Sequence, residues 1–448
     1  MAIKNLGASG VLFTDRRDFY IDPNVTKELW TDVTPFTTVV STKETRQTND
    51  PVFKMFEHRN PWVNQKIQLS STGAGTVPDS DVGMDMPTPS YTIGLEGGDG
   101  VNSTEYSSWA GLICEVWASG AVEDGAGAGV ITGTASKGTV LIREKTGSDF
   151  ELVSLSGATI VVAEHDWLVV VGNAHGEGTY SPEPWADELK VVYNSTQIFK
   201  TPLEITGTLL QASLRGESSE LARLRVLKGQ EHKIQKERAF LFGQSADGTA
   251  LDGTGTMADT HRTDGGGKKA RTTYGIISAI NKYGNSSGDS QNKFTVSEAS
   301  YSYSSFVDDM EKVFQYVPEA GVKQAFCGAG ALGYWSKMAG NTGMAGNSGW
   351  TVNVSDMKRD ALGFNYKTLE TPHGILQLIP TPVLRGPYNK TMLVIDDSNM
   401  FHAQYRNQMY QTNIKTDNAY DGVKDQYMSD EGIGVSLIES HNLFTITA

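Results

Sequence analysis

Apolar positions in the first fifty residues come in short clusters, Val11-Leu12-Phe13, Phe19-Tyr20-Ile21, Leu29-Trp30 and Val39-Val40, separated by turn formers. No helical or strand period is sustained, so the pattern predicts an extended arm over residues 1–49 that needs a surface to lie on. Residues 50–58 then alternate, with Val52, Lys54, Phe56 and His58 on one face and Phe53, Met55 and Glu57 on the other, the signature of a half-buried strand. A second β-branched and aromatic stretch at 190–206 (KVVYNSTQIFKTPLEIT), broken only at Pro202, predicts its partner. Two strands so far apart imply that the intervening chain carries its own fold rather than forming a structureless loop. Within it, apolar runs at 112–118, 139–143, 150–155, 159–163 and 167–171, punctuated by glycines, predict a small antiparallel β domain or barrel.

The pattern changes after Gly216. Leu221, Leu224, Leu227, Ile234 and Leu241 recur at spacings of three or seven among charged residues, which predicts one amphipathic helix over about 219–243. Ser218 suits its N-cap, Glu220 its first turn and Gly243 its stop. A helix of about 25 residues is roughly 38 Å long. Gly229 inside it costs about 1 kcal/mol relative to Ala, so a close contact or a bend is expected there. Beyond a Gly, Asp and Thr-rich loop at 246–267, the elements mix: an apolar segment at 274–280, helices near 306–317 and 331–338, and strands at 322–327, 375–379 and 391–395. Closing strands follow at 433–438 and 443–446. No internal repeat of 20 to 50 residues is visible.

Length and charge sharpen this picture. A chain of 448 residues is about three times the ~150-residue prior for one domain, so several cores are expected. The two cysteines, Cys114 and Cys327, cannot form a multi-bridge framework, and the composition fits a reducing compartment. The longest apolar runs are far shorter than the ~20 residues of a membrane span, so no membrane is expected as a partner, and residues 1–18 hold no apolar core of a secretory signal. A net charge of −14 argues against a protein that coats nucleic acid by neutralising phosphates. Residues 91–189 hold fifteen Asp and Glu against three Lys and Arg, a net −12, whereas 215–243 holds seven basic and four acidic residues, a net +3. That asymmetry fits either a solvated acidic domain or acidic surface on one subunit meeting basic surface on another.

No catalytic pattern stands out. Gly265-Gly266-Gly267-Lys268-Lys269 lacks the spacing of a phosphate loop, and His175-Gly176-Glu177 lacks the cysteine pair a deaminase zinc site requires. The histidines and cysteines show no zinc spacing, no serine sits in a Gly-x-Ser-x-Gly elbow, and Asp79, Asp81 and Asp85 lack the closing Glu of a calcium loop. The expectation is a non-enzyme with no cofactor and no metal.

Taken in order, these pieces resemble the major capsid proteins of tailed double-stranded DNA phages, the Hong Kong 97 type of fold. Residues 194–208 (NSTQIFKTPLEITGT) followed by 221–243 (LARLRVLKGQEHKIQKERAFLFG) look like the strand-to-spine passage of one capsid subfamily, and 30–42 (WTDVTPFTTVVST) look like its arm. The resemblance implies an α+β fold divided as follows: an N-arm at 1–49, E-loop hairpin strands at 50–90 and 190–206, and an acidic inserted antiparallel β domain at 91–189. A P-domain at 207–262 and 423–448 would hold the long spine helix, and an α/β A-domain would occupy 263–422. The insert is a departure from the plain E-loop. The implied function is self-assembly as pentamers and hexamers into an icosahedral shell around packaged double-stranded DNA, without sequence specificity. Its implied location is the virion capsid, assembled in the host bacterial cytoplasm. Because the chain begins directly with the arm, a separate scaffolding protein is expected, with a portal as a further partner. The residues expected at contacts between subunits are Phe19, Trp30, Phe36, Phe53, Phe56, Arg59, Ile198 and Phe199, with the helix cations Arg223, Arg225, Lys228, Lys233 and Lys236. Phage tail components, surface adhesins and, less favoured, a glycan hydrolase are the competing readings. The single spine helix followed by a sizeable α/β lobe speaks against a tail tube.

Overall fold

The computed structural model of the protein describes residues 34–57, 66–68, 75–77, 111–118, 136–146, 149–155, 160–162, 166–181, 190–212, 219–244, 261–263, 269–286, 291–316, 321–340, 353–354, 358–359, 365–414 and 421–447. A short helix, α1 (Pro35–Lys43), leads into β1 (Thr45–Gln47) and β2 (Val52–Glu57). The excursion contributes β3 (Lys66–Gln68), β4 (Gly75–Val77), β5 (Leu112–Trp117), β6 (Gly138–Thr146), β7 (Asp149–Ser154), β8 (Ile160–Val162) and β9 (Trp167–Asn173). The chain returns through β10 (Lys190–Ser195) and β11 (Gln197–Thr206), a short α2 (Gly207–Gln211) and the long helix α3 (Glu220–Phe242). Then come β12 (His261–Thr263), β13 (Lys269–Arg271), α4 (Ile276–Tyr283), β14 (Lys293–Ser297), α5 (Tyr303–Phe314), β15 (Val322–Cys327) and α6 (Ala329–Gly340). The last elements are β16 (Asn353–Val354), β17 (Lys358–Arg359), β18 (Asn365–Glu370), β19 (Ile375–Pro380), β20 (Thr391–Ile395), β21 (Met400–Gln411), β22 (Gly422–Val435) and β23 (Asn442–Thr447). Helices and sheets are mixed along the chain, an α+β fold.

By packing, the described chain forms two compact units. The smaller holds Phe199–Gln235 and Asn407–Ser429, so that parts of β21, β22 and β11 lie in that sheet order beside the first turns of α3. Here Asp425 collects donors: Arg225 Nη2 at 2.8 Å, the Asn413 N–H at 2.8 Å and the Tyr410 hydroxyl. Burial alone would raise the Asp425 carboxyl, but these hydrogen bonds and the Arg225 charge outweigh it and hold it below the usual range. His232 bridges Thr201 Oγ1 at 3.0 Å and Ser429 Oγ at 3.1 Å. The close contact expected at Gly229 is present. The Tyr427 hydroxyl donates to the Arg225 carbonyl at 3.1 Å, and a Cβ on Gly229 would lie only 3.3 Å from that hydroxyl.

The larger unit holds the rest of the described chain. Its main sheet has eight strands, in the order β14-β23-β20-β15-β19-β18-β16 with β17 beside β18. Two of its pairings, β14 with β23 and β15 with β19, are parallel. Its core gathers Tyr301, Phe306, Met310, Ala331 and Phe444 around Trp335, which is 1% exposed. The Trp335 indole lies 5.4 Å from the Phe306 ring and edge-on to Phe444 at 6.0 Å. In the excursion, β5 to β9 lie where the apolar runs predicted them; β5, β6, β7 and β9 join the earlier β3 in an antiparallel sheet ordered β3-β9-β5-β6-β7, while β8 pairs with β4 in a separate two-stranded sheet. Alternation in β5 buries Leu112, Cys114 and Val116.

Four sequence expectations change. Residues 35–43 are helical, not extended: Pro35 occupies the first turn, where its missing N–H costs nothing, and Phe36, Val39 and Val40 fall on one buried face. The stretch 190–206 is two strands, not one. β10 pairs with β2 in the expected antiparallel sense, whereas β11 joins β22 and accommodates Pro202 because it is an end strand of its sheet. Strand β23, expected to group with the long helix, instead lies between β14 and β20. In α3 the leucines at 221, 224 and 227 are only half-buried, and the fully buried face carries His232, Lys236, Glu237, Phe240 and Leu241. Replacing Trp335 by Ala is expected to lower unfolding free energy by about 3–5 kcal/mol. The check is a shift of the denaturant midpoint without a change of slope.

Candidate assembly surface

The sheet of β2 and β10 has two chemically different faces because side chains alternate along each strand. Its inner face is tied down. Asn194 Nδ2 donates to the Ile433 carbonyl at 2.7 Å and to the Tyr274 carbonyl at 3.2 Å, while Asn194 Oδ1 accepts from the Tyr274 N–H at 2.9 Å. Ser195, at the end of β10 and on the opposite side of the strand from Asn194, is also tied, its Oγ donating to the Thr272 carbonyl at 2.8 Å. Glu57 Oε1 accepts from the N–H of Leu437 at 2.7 Å, and Leu437 sits in the left-handed region at φ 47°. Phe53 packs 6.0 Å from Phe401, and β22 passes so close that a Cβ on Gly434 would lie 2.2 Å from that ring. The Asn-Ser of the NSTQIF segment is therefore a backbone clamp. In the sequence this clamp shows only as a short polar pair inside an apolar strand.

The outer face is open in the single chain. Phe56, 68% exposed, stands directly opposite Val191, and Lys54 opposite Tyr193 with its Nζ 5.3 Å from the ring centroid. Ile198, at the start of β11, is 42% exposed. A phenylalanine left in water beside a half-buried cross-strand valine forgoes stabilisation of about 25 cal/mol per Å².

The other residues expected at subunit contacts fare differently. Phe19, Trp30 and Arg59 lie outside the described residues. Phe36 is fully buried, edge-on to Phe326 at 5.2 Å, and Phe53 and Phe199 are also buried within their own chain. Arg223 pairs with Glu220, Lys228 with Glu231 at 2.7 Å, and Arg225 with Asp425. Lys236 is buried in an ion pair with Glu431 at 3.2 Å. Among the described residues, the expected cation Lys233 is exposed, while Arg225, with its side chain 38% exposed, is engaged by Asp425. The side chains that structure leaves outward are thus Phe56, Ile198 and Lys233.

Lys236 belongs to a buried ionic array that the sequence did not reveal. Glu431 Oε2 is 3.1 Å from His402 Nε2 as well as 3.2 Å from Lys236 Nζ. The adjacent Asp430 takes Arg271 Nη2 at 3.2 Å and Arg406 Nη2 at 3.3 Å. Burial pushes the Glu431 carboxyl up, yet the His402 hydrogen bond and the Lys236 charge outweigh it and hold it below the usual carboxylate range. Glu237, one residue along α3, lacks such compensation: burial raises its carboxyl to about 8, against the weaker pull of Thr37. Both cysteines are buried, which raises their thiols, Cys114 to about 12. Among the described residues no group of three or more His, Cys, Asp and Glu could hold a metal ion, and no described helix is long and apolar enough to cross a membrane.

An α+β chain with a pinned hairpin, an open outer face and buried ionic bracing has the makings of a structural protein, and its relatives give the class: viral major capsid proteins. The chain belongs to the SU10 major capsid protein family, whose model matches residues 20–435. A curated relative, the major capsid protein of Pseudomonas phage PaMx41, is 26% identical over 162 residues, which are 33% of this chain and 35% of that protein. The match thus spans about a third of the relative's length. Among solved structures, the capsid of a native GTA particle is similar with a TM-score of 0.42 and 11% identity, covering 99% of this chain and 100% of that one. A chain from Gordonia phage Cozz gives a TM-score of 0.37 at 10% identity, covering 62% of this chain and 78% of that one. The SrpI encapsulin complex of Synechococcus elongatus PCC 7942 gives 0.36 at 7% identity, with 58% and 77% covered.

The array sets a testable acid limit. Because the folded-state Glu431 carboxyl is depressed, its contribution is present above the ordinary carboxylate range and is lost as pH falls through the folded value. Lys236→Met, which strips one of the two partners from a buried carboxylate, is expected to cost about 3–5 kcal/mol at neutral pH. It should also move acid unfolding to higher pH, as followed by circular dichroism.

Proposed function

We propose that this protein is the shell subunit of an icosahedral phage capsid, assembling as pentamers and hexamers into the wall that encloses packaged double-stranded DNA. The observation that carries this reading is the family match across residues 20–435. In this reading the protein is structural and not catalytic, and resides in the virion capsid after assembly in the bacterial host. Residues 1–49 act as the N-arm, the β2 and β10 hairpin with its insert as the E-loop, α3 as the spine helix and the eight-stranded lobe as the A-domain. A scaffolding protein and a portal are further partners, and DNA is enclosed without sequence recognition. The acidic balance of −14 suits a wall that must contain DNA without gripping it.

The open outer face supports this assembly role, since the exposed Phe56 and Ile198 gain burial only when something covers them. Electrostatic matching between the acidic insert and a neighbour's helix narrows to outward cations such as Lys233, because Arg225 and Lys236 are already committed within the chain.

Purified protein viewed by negative-stain electron microscopy is expected to form closed spherical shells; a compact monomer at high concentration would refute the reading. Phe56→Asp should reduce shell yield by an order of magnitude or more. It should shift the stability of the unassembled chain by no more than about 0.5 kcal/mol, as for surface substitutions generally. Equal loss of both would mean that Phe56 serves the fold instead. Lys233→Glu should slow assembly more strongly at low salt than at high salt, read by light scattering.

A further inference from the structure

Helix α1 begins at Pro35, and its N-cap residue Thr34 supplies no side-chain capping bond. One of its unsatisfied first-turn N–H groups finds an acceptor far along the chain: Glu237 Oε2 lies 3.4 Å from the Thr37 nitrogen. Glu237 is 0% exposed, and its second oxygen, Oε1, has no hydrogen-bond partner; neither has the buried Thr37 hydroxyl. The charged groups of the surrounding elements are engaged elsewhere. On α1 and just beyond it, Lys43 pairs with Asp397 at 3.1 Å and Arg46 with Glu44 at 2.7 Å. On α3, Lys236 is held by Glu431, and Arg238 is exposed. On β21, His402 faces Glu431 and Arg406 faces Asp430, the two carboxylates of β22. On β15, reached from α1 through the Phe36 and Phe326 contact, Lys323 gives its protons to the carbonyls of Val313 and Ser440. Among the described residues no cation pairs with Glu237.

A carboxylate at a helix N-terminus is favoured by the helix dipole, but an unpaired charge in a dry site is disfavoured more strongly. We propose that Glu237 is a proton-coupled latch for α1: it is seated uncharged beneath the first turn of the helix, and its ionisation loosens α1 from its packing. The sign follows from the thermodynamics. A carboxyl whose docked value, about 8, stands above its ordinary 4.5 stabilises docking fully below the ordinary value and ceases to do so as pH rises through the docked one. A proton on Glu237 leaves no charge to neutralise on the orphaned Oε1. The latch concerns α1 alone and stands whether or not the chain builds shells.

Hydrogen exchange of the α1 amides in the full chain, corrected for the intrinsic pH dependence of exchange, tests the latch. Protection is expected to fall roughly tenfold or more between about pH 6 and pH 9 in the unaltered protein. Glu237→Gln should keep the low-pH protection and flatten the response. Glu237→Met, similar in length and without a titrating group, should flatten it as well and serves if the glutamine variant does not fold. His402→Gln should leave the response in place. Constant protection in the unaltered protein, a surviving response in both Glu237 variants, or its disappearance with His402 alone would each overturn the proposal.

Discussion

Two consecutive carboxylates, Asp430 and Glu431, are buried in the middle of a strand, and much of the larger unit is arranged to neutralise them. An unpaired buried carboxylate costs several kcal/mol, so counter-charges must arrive together and in register. They come from three places in the sequence, Lys236 from α3, Arg271 from β13 and Arg406 from β21, with His402 of β21 as a hydrogen-bonding partner of Glu431. Each depends on the others. The strand cannot be buried without the helix end, and the helix end cannot be buried with Lys236 uncompensated. Apolar residues could fill the same volume, but they would tolerate sliding between helix and strand, whereas paired charges specify one alignment.

The hairpin is built on the same logic of fixed inner and adaptable outer faces. The side chains of Asn194, Ser195 and Glu57 bond to backbone groups of other segments, so the sheet is held in place by directional bonds and not only by apolar contact. With the inner face immobilised, the outer row of Phe56, Val191 and Tyr193 is presented as a rigid strip. A rigid strip loses little conformational entropy on being covered, which favours repeated association of identical chains. Membership of the SU10 major capsid protein family gives that feature its context.

Much of this was legible in the sequence, and the misses have physical causes. Alternation at 52–57 and the spacing of the helical leucines located β2 and α3 to within a residue or two, because period is a local property. The helix at α1 was missed because Phe36, Val39 and Val40 span little more than one turn, too short for a period to declare itself. The long helix was found, yet its buried face was misjudged. Leucine spacing pointed to one stripe, while the deepest contacts belong to His232, Lys236 and Glu237, whose burial depends on partners on distant strands. The same cause removed Arg225 and Lys236 from the set of outward cations: a charge run does not disclose which members are paired internally. Phe56 and Phe53, three residues apart, were equally plausible contact residues, and the fold alone separates them.

The place of β23 carries a consequence for the order of events in the cell. This strand, at residues 442–447, lies between β14 and β20, so β14 stays separate from the rest of the large sheet until nearly all the preceding chain has been made. A nascent or truncated polypeptide lacking those residues presents two unzipped edges in place of a finished lobe. A lobe bridged this late leaves two strand edges without their partner until residues 442–447 are in place, and unpaired edges are the surfaces most prone to mispairing.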